Sequence, residues 1–241
     1  MPDPRLRSTK KRPTIAALKR FDAVIVLHAH KDLASLPVPG AALLADVAAR
    51  LPGSDLVRIH LPDAPATPLI ACRLAPQGEA FAHAEQCRRS AAATREVGAR
   101  NIAVVVVADS LDDAAASAAA SVYALAVGSF AMPRFGKPAK RQPALDITVF
   151  EPRKTNLDAT VALARGNSMA RWLTALPPNK LDAVGYRDLA TALAKRYGWQ
   201  YRFMSASALA RRGAGAFTAV AQGNEHNEAG IVHLRYRPKP T

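Results

Sequence analysis

A two-part α/β fold is predicted by three observations: a layered N-terminal domain, followed by the beginning of a second α/β domain. β-Branched runs alternate with Ala-rich helical stretches along most of the 241 residues. Hydrophobic residues make up 49% and aromatics only 6%, so the apolar share rests on Ala, Val and Leu, which suit helices and strands respectively. Glycine or proline punctuates most changes of period. Strands separated by helices of this length imply parallel pairing in a layered domain.

Residues 1–20 hold seven basic side chains (Arg5, Arg7, Lys10, Lys11, Arg12, Lys19, Arg20) against the single acid Asp3. They read as a basic, disordered arm. Residues 21–151 read as the N-terminal α/β domain. Asp22–Leu27 is a β-branched run of the kind that forms a buried strand. Gly40–Leu51 is a helix closed by Leu51-Pro52-Gly53. Asp55–Leu61 alternates as a half-exposed strand, and Leu69–Leu74 is another short strand. Gln77–Val97 is a long helix ending at Gly98, where glycine suits a C-cap. Asn101–Val107 is apolar throughout and reads as a central strand. Asp112–Val127 is a second Ala-rich helix, with Asp112 and Asp113 near its positive end. Leu145–Phe150 is a further strand.

A boundary is expected at Glu151–Thr155, with residues 155–241 beginning a second domain. A helix capped at Thr155 or Asn156 runs to about Ala175 and is stopped by Leu176-Pro177-Pro178-Asn179. Asp182–Tyr197 is a helix closed by Gly198. Trp199–Met204 reads as a strand, Ser205–Arg212 as a short helix, and Phe217–Ala221 and Gly230–Tyr236 as strands.

The formal net charge of +14 favours polyanions by a salt-sensitive, sequence-independent attraction. The loop between Pro133 and Pro143 adds Arg134, Lys137, Lys140 and Arg141 with no acid. Lys10, Lys11, Arg12, Arg134, Lys137, Lys140 and Arg141 are therefore the candidate nucleic-acid contacts of an alternative reading, a non-catalytic basic binding module. Two cysteines, Cys72 and Cys87, cannot make a disulfide framework and point to a reducing compartment. No apolar run approaches the roughly 20 residues of a membrane span. The basic start lacks the apolar core of a secretory signal, and a cytoplasmic location without membrane attachment is expected.

Standard catalytic signatures are absent from the sequence: no G-x-S-x-G elbow, no phosphate-cradling G-x-x-x-x-G-K-[ST], no H-E-x-x-H and no C-x-x-C. His28 and His30 lie two apart at a strand end and share a face, but only Asp32 stands near them as a further ligand. They read as partly exposed strand-end histidines. Glu79, His83 and Cys87 share one helix face, and the bland reading of a small buried cysteine wins. The glycines at Gly213, Gly215 and Gly223 read as turns, since none opens a helix directly after a strand.

Ala164-Arg165-Gly166-Asn167-Ser168-Met169-Ala170-Arg171-Trp172-Leu173, followed by Pro177-Pro178-Asn179, resembles a junction found in leucyl (cytosol) aminopeptidases. There a helix with an Ala/Gly-x-x-x-Ala-Arg-x-Leu pattern leads into Pro-Pro-Asn, a helix-strand-helix segment, a Gly-x-Gly turn and Val-x-Gln-Gly. The last two correspond to Gly213-Ala214-Gly215 and Val220-Ala221-Gln222-Gly223. Ile231-Val232-His233-Leu234-Arg235-Tyr236 is similar to the Leu-x-Tyr strand of that family. Upstream, Gly128-Ser129-Phe130 with Arg134-Phe135-Gly136-Lys137 looks like the segment after its last N-terminal helix. Thr174-Ala175-Leu176 departs from the usual Val-Asn-Thr.

The resemblance implies a macro-like layered α/β domain followed by an incomplete α/β metallopeptidase domain. It implies an enzyme that, when complete, removes N-terminal residues from peptides with two divalent metal ions, manganese or zinc, and assembles as a hexamer. The metal-binding lysine and carboxylates of the family are expected beyond Tyr236. Lys239 stands too early and between prolines to take the lysine's part. The expectation is therefore that this chain is a fragment without catalytic or metal residues, binds no metal and is inactive alone.

Overall fold

The structure is a computed structural model that describes residues 4–76, 78–135, 143–151, 155–223 and 228–238. The chain divides into two compact units, Met1–Trp172 and Leu173–Thr241.

The first unit is built on a six-stranded sheet. Its strands are β1 (Arg5–Thr9), β2 (Ala23–His28), β3 (Leu56–Leu61), β4 (Ala64–Arg73), β5 (Asn101–Val107) and β6 (Asp146–Phe150), in the order β1-β6-β5-β2-β4-β3. All neighbours pair in parallel except β3 with β4. That exception follows from a tight hairpin: Leu61 pairs with Ala64, and Asp63 takes a left-handed φ of 59° at the turn. β2 and β5 lie at the centre, as their unbroken apolar character predicts; every residue of β2 is buried.

Helices cover both faces, so alternate residues of each strand enter separate cores. Ile25, Leu27, Ile102 and Val104 pack beneath α3 (Ala80–Glu96) and α4 (Leu111–Gly128). Val24, Val26, Ala103 and Val105 pack with Leu18 of α1 (Ile15–Leu18), Leu44 of α2 (Ala41–Ala49), and Leu33, Leu36 and Val38. α4 begins where expected because the Ser110 hydroxyl accepts from the Asp113 amide at 3.0 Å, with Asp112 and Asp113 in its first turn. α5 (Asp158–Thr174) places Val161, and with it Leu157 just before the helix, against the α3–α4 core.

Residues 1–20, expected as a disordered arm, instead include β1 (Arg5–Thr9) and α1 (Ile15–Leu18). β1 pairs along its whole length with β6, Arg5 opposite Asp146 and Thr9 opposite Phe150. Leu6 packs against the core, while the Arg5 guanidinium meets the Asp146 carboxylate at 2.6 Å. Exposed arginines alternating with half-buried residues suit an edge strand, which needs only one apolar face. The compact units also divide later than the expected 151/155 boundary, because α5 packs with the first unit.

The second unit holds α6 (Ala183–Tyr197), β7 (Gln200–Ser205), α7 (Ala206–Ala210), α8 (Gly215–Ala221) and β8 (Gly230–Arg235). β7 and β8 pair antiparallel, Gln200 opposite Arg235. α6 starts at Asp182, whose carboxylate accepts from the Gly185 amide at 2.7 Å, and ends at Gly198 with φ 69°. Residues 217–221, expected as a strand, belong to helix α8. Gly213 turns the chain with φ 76°, and the Thr218 hydroxyl donates to the Ala214 carbonyl at 2.7 Å. With alanines interleaved, the run closes i to i+4 bonds such as Gln222 N to Thr218 O at 3.1 Å.

Candidate functional site

In the first unit, chemistry-bearing side chains gather at the carboxyl edge of the sheet, where the parallel strands β2 and β4 end. His28 closes β2, and only 3% of its surface is exposed. Burial lowers its pKa from 6.5 to about 4, outweighing the opposing hydrogen bond to the His30 carbonyl. That bond, 3.1 Å from Nδ1, places the ring hydrogen on Nδ1, because a carbonyl can only accept. Nε2 therefore carries a lone pair. Of the two histidines expected to be partly exposed, His30 is so and turns its Nε2 towards the Asp109 carboxylate at 3.8 Å, whereas His28 is buried.

Beside them Arg73 ends β4 and bonds Asp55 through both its backbone and its side chain. The Arg73 amide donates to the Asp55 carbonyl at 2.7 Å, and its guanidinium meets Asp55 Oδ1 at 2.9 Å. Partial burial alone would raise the Asp55 carboxyl, yet hydrogen bonds from Arg73 and Gln86 hold it below the usual carboxylate range. These groups border a cleft of about 370 Å³ whose opposite wall is apolar: Leu33, Ala45, Ala48 and Leu51. Sequence reasoning missed Arg73 and Asp55, which are 18 residues apart and meet only because β3 runs antiparallel to β4.

The second helix-borne cluster is inert. His83 and Cys87 are both buried on α3, and Cys72 of β4 donates to the Gln86 carbonyl at 3.4 Å. Burial pushes both thiols up to about 12, so neither is a thiolate at neutral pH. His83 Nδ1 faces the Ala75 carbonyl at 3.1 Å, and its Nε2 is buried without a hydrogen-bond partner among the described residues.

Of the candidate nucleic-acid residues, Lys10, Lys11 and Arg12 are exposed between β1 and α1, and Arg134 is exposed in the segment after α4. Lys137, Lys140 and Arg141 lie outside the described residues. Among the described residues, no group of three or more His, Cys, Asp or Glu could hold a metal ion, and no helix is long and apolar enough to cross a membrane.

The segment with the motif-like spacing forms a continuous structural run. On α5, Ala164 and Ser168 are buried, Asn167 donates to the Tyr123 hydroxyl at 2.6 Å, and Arg171 donates to the Val127 carbonyl at 3.2 Å. After α5, the Lys180 and Leu181 amides donate to the Pro177 carbonyl at 2.8 and 3.1 Å, fixing the Pro-Pro-Asn turn. Residues 168–241, from this helix to the end of the sequence, match the cytosol aminopeptidase family, catalytic domain. A probable cytosol aminopeptidase of Prochlorococcus marinus is 30% identical over 103 residues, which is 42% of this chain and 21% of that relative. This stretch is thus similar to the catalytic domain of the cytosol (leucyl) aminopeptidase family.

Solved structures share the fold of nearly the whole chain. A tomato leucine aminopeptidase mutant superposes with a TM-score of 0.77 at 18% identity, covering 97% of this chain and 50% of that one. The bottromycin maturation enzyme BotP in complex with Mn gives 0.60 at 24% identity, covering 90% of this chain and 45% of that one. The chain thus spans about half the length of these solved structures. None of these matches supports the nucleic-acid-binding alternative.

Proposed function

We propose that this chain is the front part of a metal-dependent aminopeptidase that releases N-terminal residues from peptides, acting in the cytoplasm as a hexamer. The observation that carries the reading is the match of residues 168–241 to the catalytic domain of the cytosol aminopeptidase family. The helix α5, the Pro177-Pro178-Asn179 turn and the β7–β8 ladder support it, as does the manganese held by BotP.

The family's metal pair, manganese or zinc, would polarise a peptide carbonyl and supply the nucleophile. The described residues of this chain do not fit that pair, since they bring no three donors together. Their part is scaffolding. The first unit is a macro-like layered domain, and the second begins the catalytic domain with α6 packed on the β7–β8 ladder, where the Arg187 guanidinium lies 5.3 Å from the Phe203 ring centre.

The test is a peptidase assay on leucine p-nitroanilide with added Mn²⁺, using the chain alone and the chain fused to the metal-bearing half of a curated relative. Metal-dependent hydrolysis by the fusion and none by the chain alone is expected. A fusion that forms the hexamer yet hydrolyses nothing would overturn the reading.

A further inference from the structure

We propose that the cleft at the carboxyl edge of the first unit's sheet is a binding site for a free α-amino acid with an apolar side chain. The inference stands on the first unit alone and does not depend on the aminopeptidase reading.

Position is the first support. In open parallel sheets, ligands settle outside the carboxyl ends of the strands near the point where the chain reverses its direction of winding. The strands after β2 are laid first on one side of it, at β4, and then on the other, at β5, so β2 stands at that reversal. His28 is the last residue of β2 and lines the cleft. At about 370 Å³ the cleft lies near the lower end of small-molecule sites, which run from about 300 to 1,000 Å³.

An unused polar atom is the second. His28 is buried to all but 3% of its surface, its Nδ1 is committed to the His30 carbonyl, and no protein group among the described residues bonds its Nε2. Nε2 is not one of the buried atoms left without a partner, so it opens on the cleft, where a ligand N–H or O–H can take the place of solvent. The imidazole is neutral at physiological pH, so it accepts a hydrogen bond without adding positive charge.

The charge around the cleft selects the ligand class. Lys31 and Arg73 line it, and so do Asp32 and Asp55: two fixed cations against two carboxylates. Arg73 and Asp55 largely satisfy each other. Lys31 is exposed and has no ion-pair partner among the described residues, and Asp32 spends one oxygen on the Ala34 amide. An anion such as a phosphate would meet Asp32 uncompensated, whereas a zwitterion finds a partner for each end. The ligand ammonium goes to Asp32 and His28 Nε2, the ligand carboxylate to Lys31, and the side chain to the Leu33, Ala45, Ala48 and Leu51 wall.

The experiment is a titration of the isotope-labelled full chain, following backbone amide resonances, with L-leucine as probe. Two truncated probes accompany it: 4-methylpentanoate, which lacks the amine, and isoamylamine, which lacks the carboxylate. L-Leucine is expected to shift residues 28–33, 45–55 and 71–73, with each truncated probe at least about tenfold weaker, since each loses one charge-assisted contact. Lys31→Met, a surface change that leaves the core untouched, should weaken L-leucine about tenfold and leave isoamylamine unchanged. Ala48→Phe should fill the cleft and abolish all three. The proposal is overturned if L-leucine shifts none of these residues, if Lys31→Met binds it as tightly as the parent, or if adenosine monophosphate occupies the cleft more tightly than L-leucine.

Discussion

The Ser8 hydroxyl donates to the Glu151 carboxylate at 2.6 Å, joining residues 143 positions apart across the β1–β6 edge of the sheet. Glu151 is only 4% exposed, and the same carboxylate also accepts from the Thr155 amide at 2.9 Å and the Thr155 hydroxyl at 2.6 Å. A buried carboxylate that loses one of three donors keeps its desolvation cost without the compensation. Ser8→Ala should therefore destabilise the first unit by about 1–3 kcal/mol, and Glu151→Ala by a similar amount through the three hydrogen bonds it removes. Because the two act through one bond, the double variant should cost clearly less than the sum, which a double-mutant cycle in urea would read. Additive losses would show that the contact does not hold β1.

That edge is also where sequence reading fell short. The chain's central strands were legible because β2 and β5 are buried on both faces, and a run such as Ile102–Val106 advertises that in its residue types alone. β1 advertises nothing: Arg5-Leu6-Arg7-Ser8-Thr9 needs one apolar residue towards the core, and its partner strand lies more than 130 residues away. α8 failed differently. Phe217-Thr218-Ala219-Val220-Ala221 is short and apolar, so periodicity cannot separate helix from strand; the left-handed turn at Gly213 and the bonds from the Thr218 amide and hydroxyl to the Ala214 carbonyl favour the helix. The cleft was half legible: His28 and His30 stood out by spacing, but Arg73 and Asp55 meet only through the antiparallel register of β3 and β4.

Gly230 opens β8 opposite Ser205, and a Cβ built there would strike the Phe203 ring and come within 2.7 Å of the Met204 carbonyl oxygen. The backbone oxygen cannot move without breaking the ladder. Gly230→Ala is expected to destabilise the second unit by about 1–3 kcal/mol, the usual cost of overpacking. Adding Phe203→Ala should restore only part of the loss, because the carbonyl clash remains. Hydrogen exchange of the β7 and β8 amides is the measurement; unchanged protection in Gly230→Ala would refute the contact.

Cys72 and Cys87 should behave as hydrophobes rather than reagents. Both are free, both are buried, and desolvation pushes both thiols up to about 12. At pH 8 the folded chain should react with Ellman's reagent only at the rate of its opening, and in denaturing urea both thiols should react at once. Two equivalents released rapidly from the native chain would place at least one sulfur at the surface.

His28 ties stability to pH, and the direction follows from its depressed pKa. Unfolded, the imidazole takes a proton near pH 6.5; folded, burial delays that until about pH 4. Above pH 6.5 both states are neutral and the stability is fully present. As pH falls from 6.5 towards 4 the unfolded state gains the proton first, so stability drops by about 1.4 kcal/mol per pH unit. Below pH 4 both states are protonated and the loss levels off at about 3 kcal/mol. Urea midpoints measured from pH 7.5 to pH 4 should show this slope, and His28→Gln, which cannot titrate, should flatten it. A slope that survives the substitution unchanged would assign the effect to other groups and return His28 to an ordinary strand-end histidine.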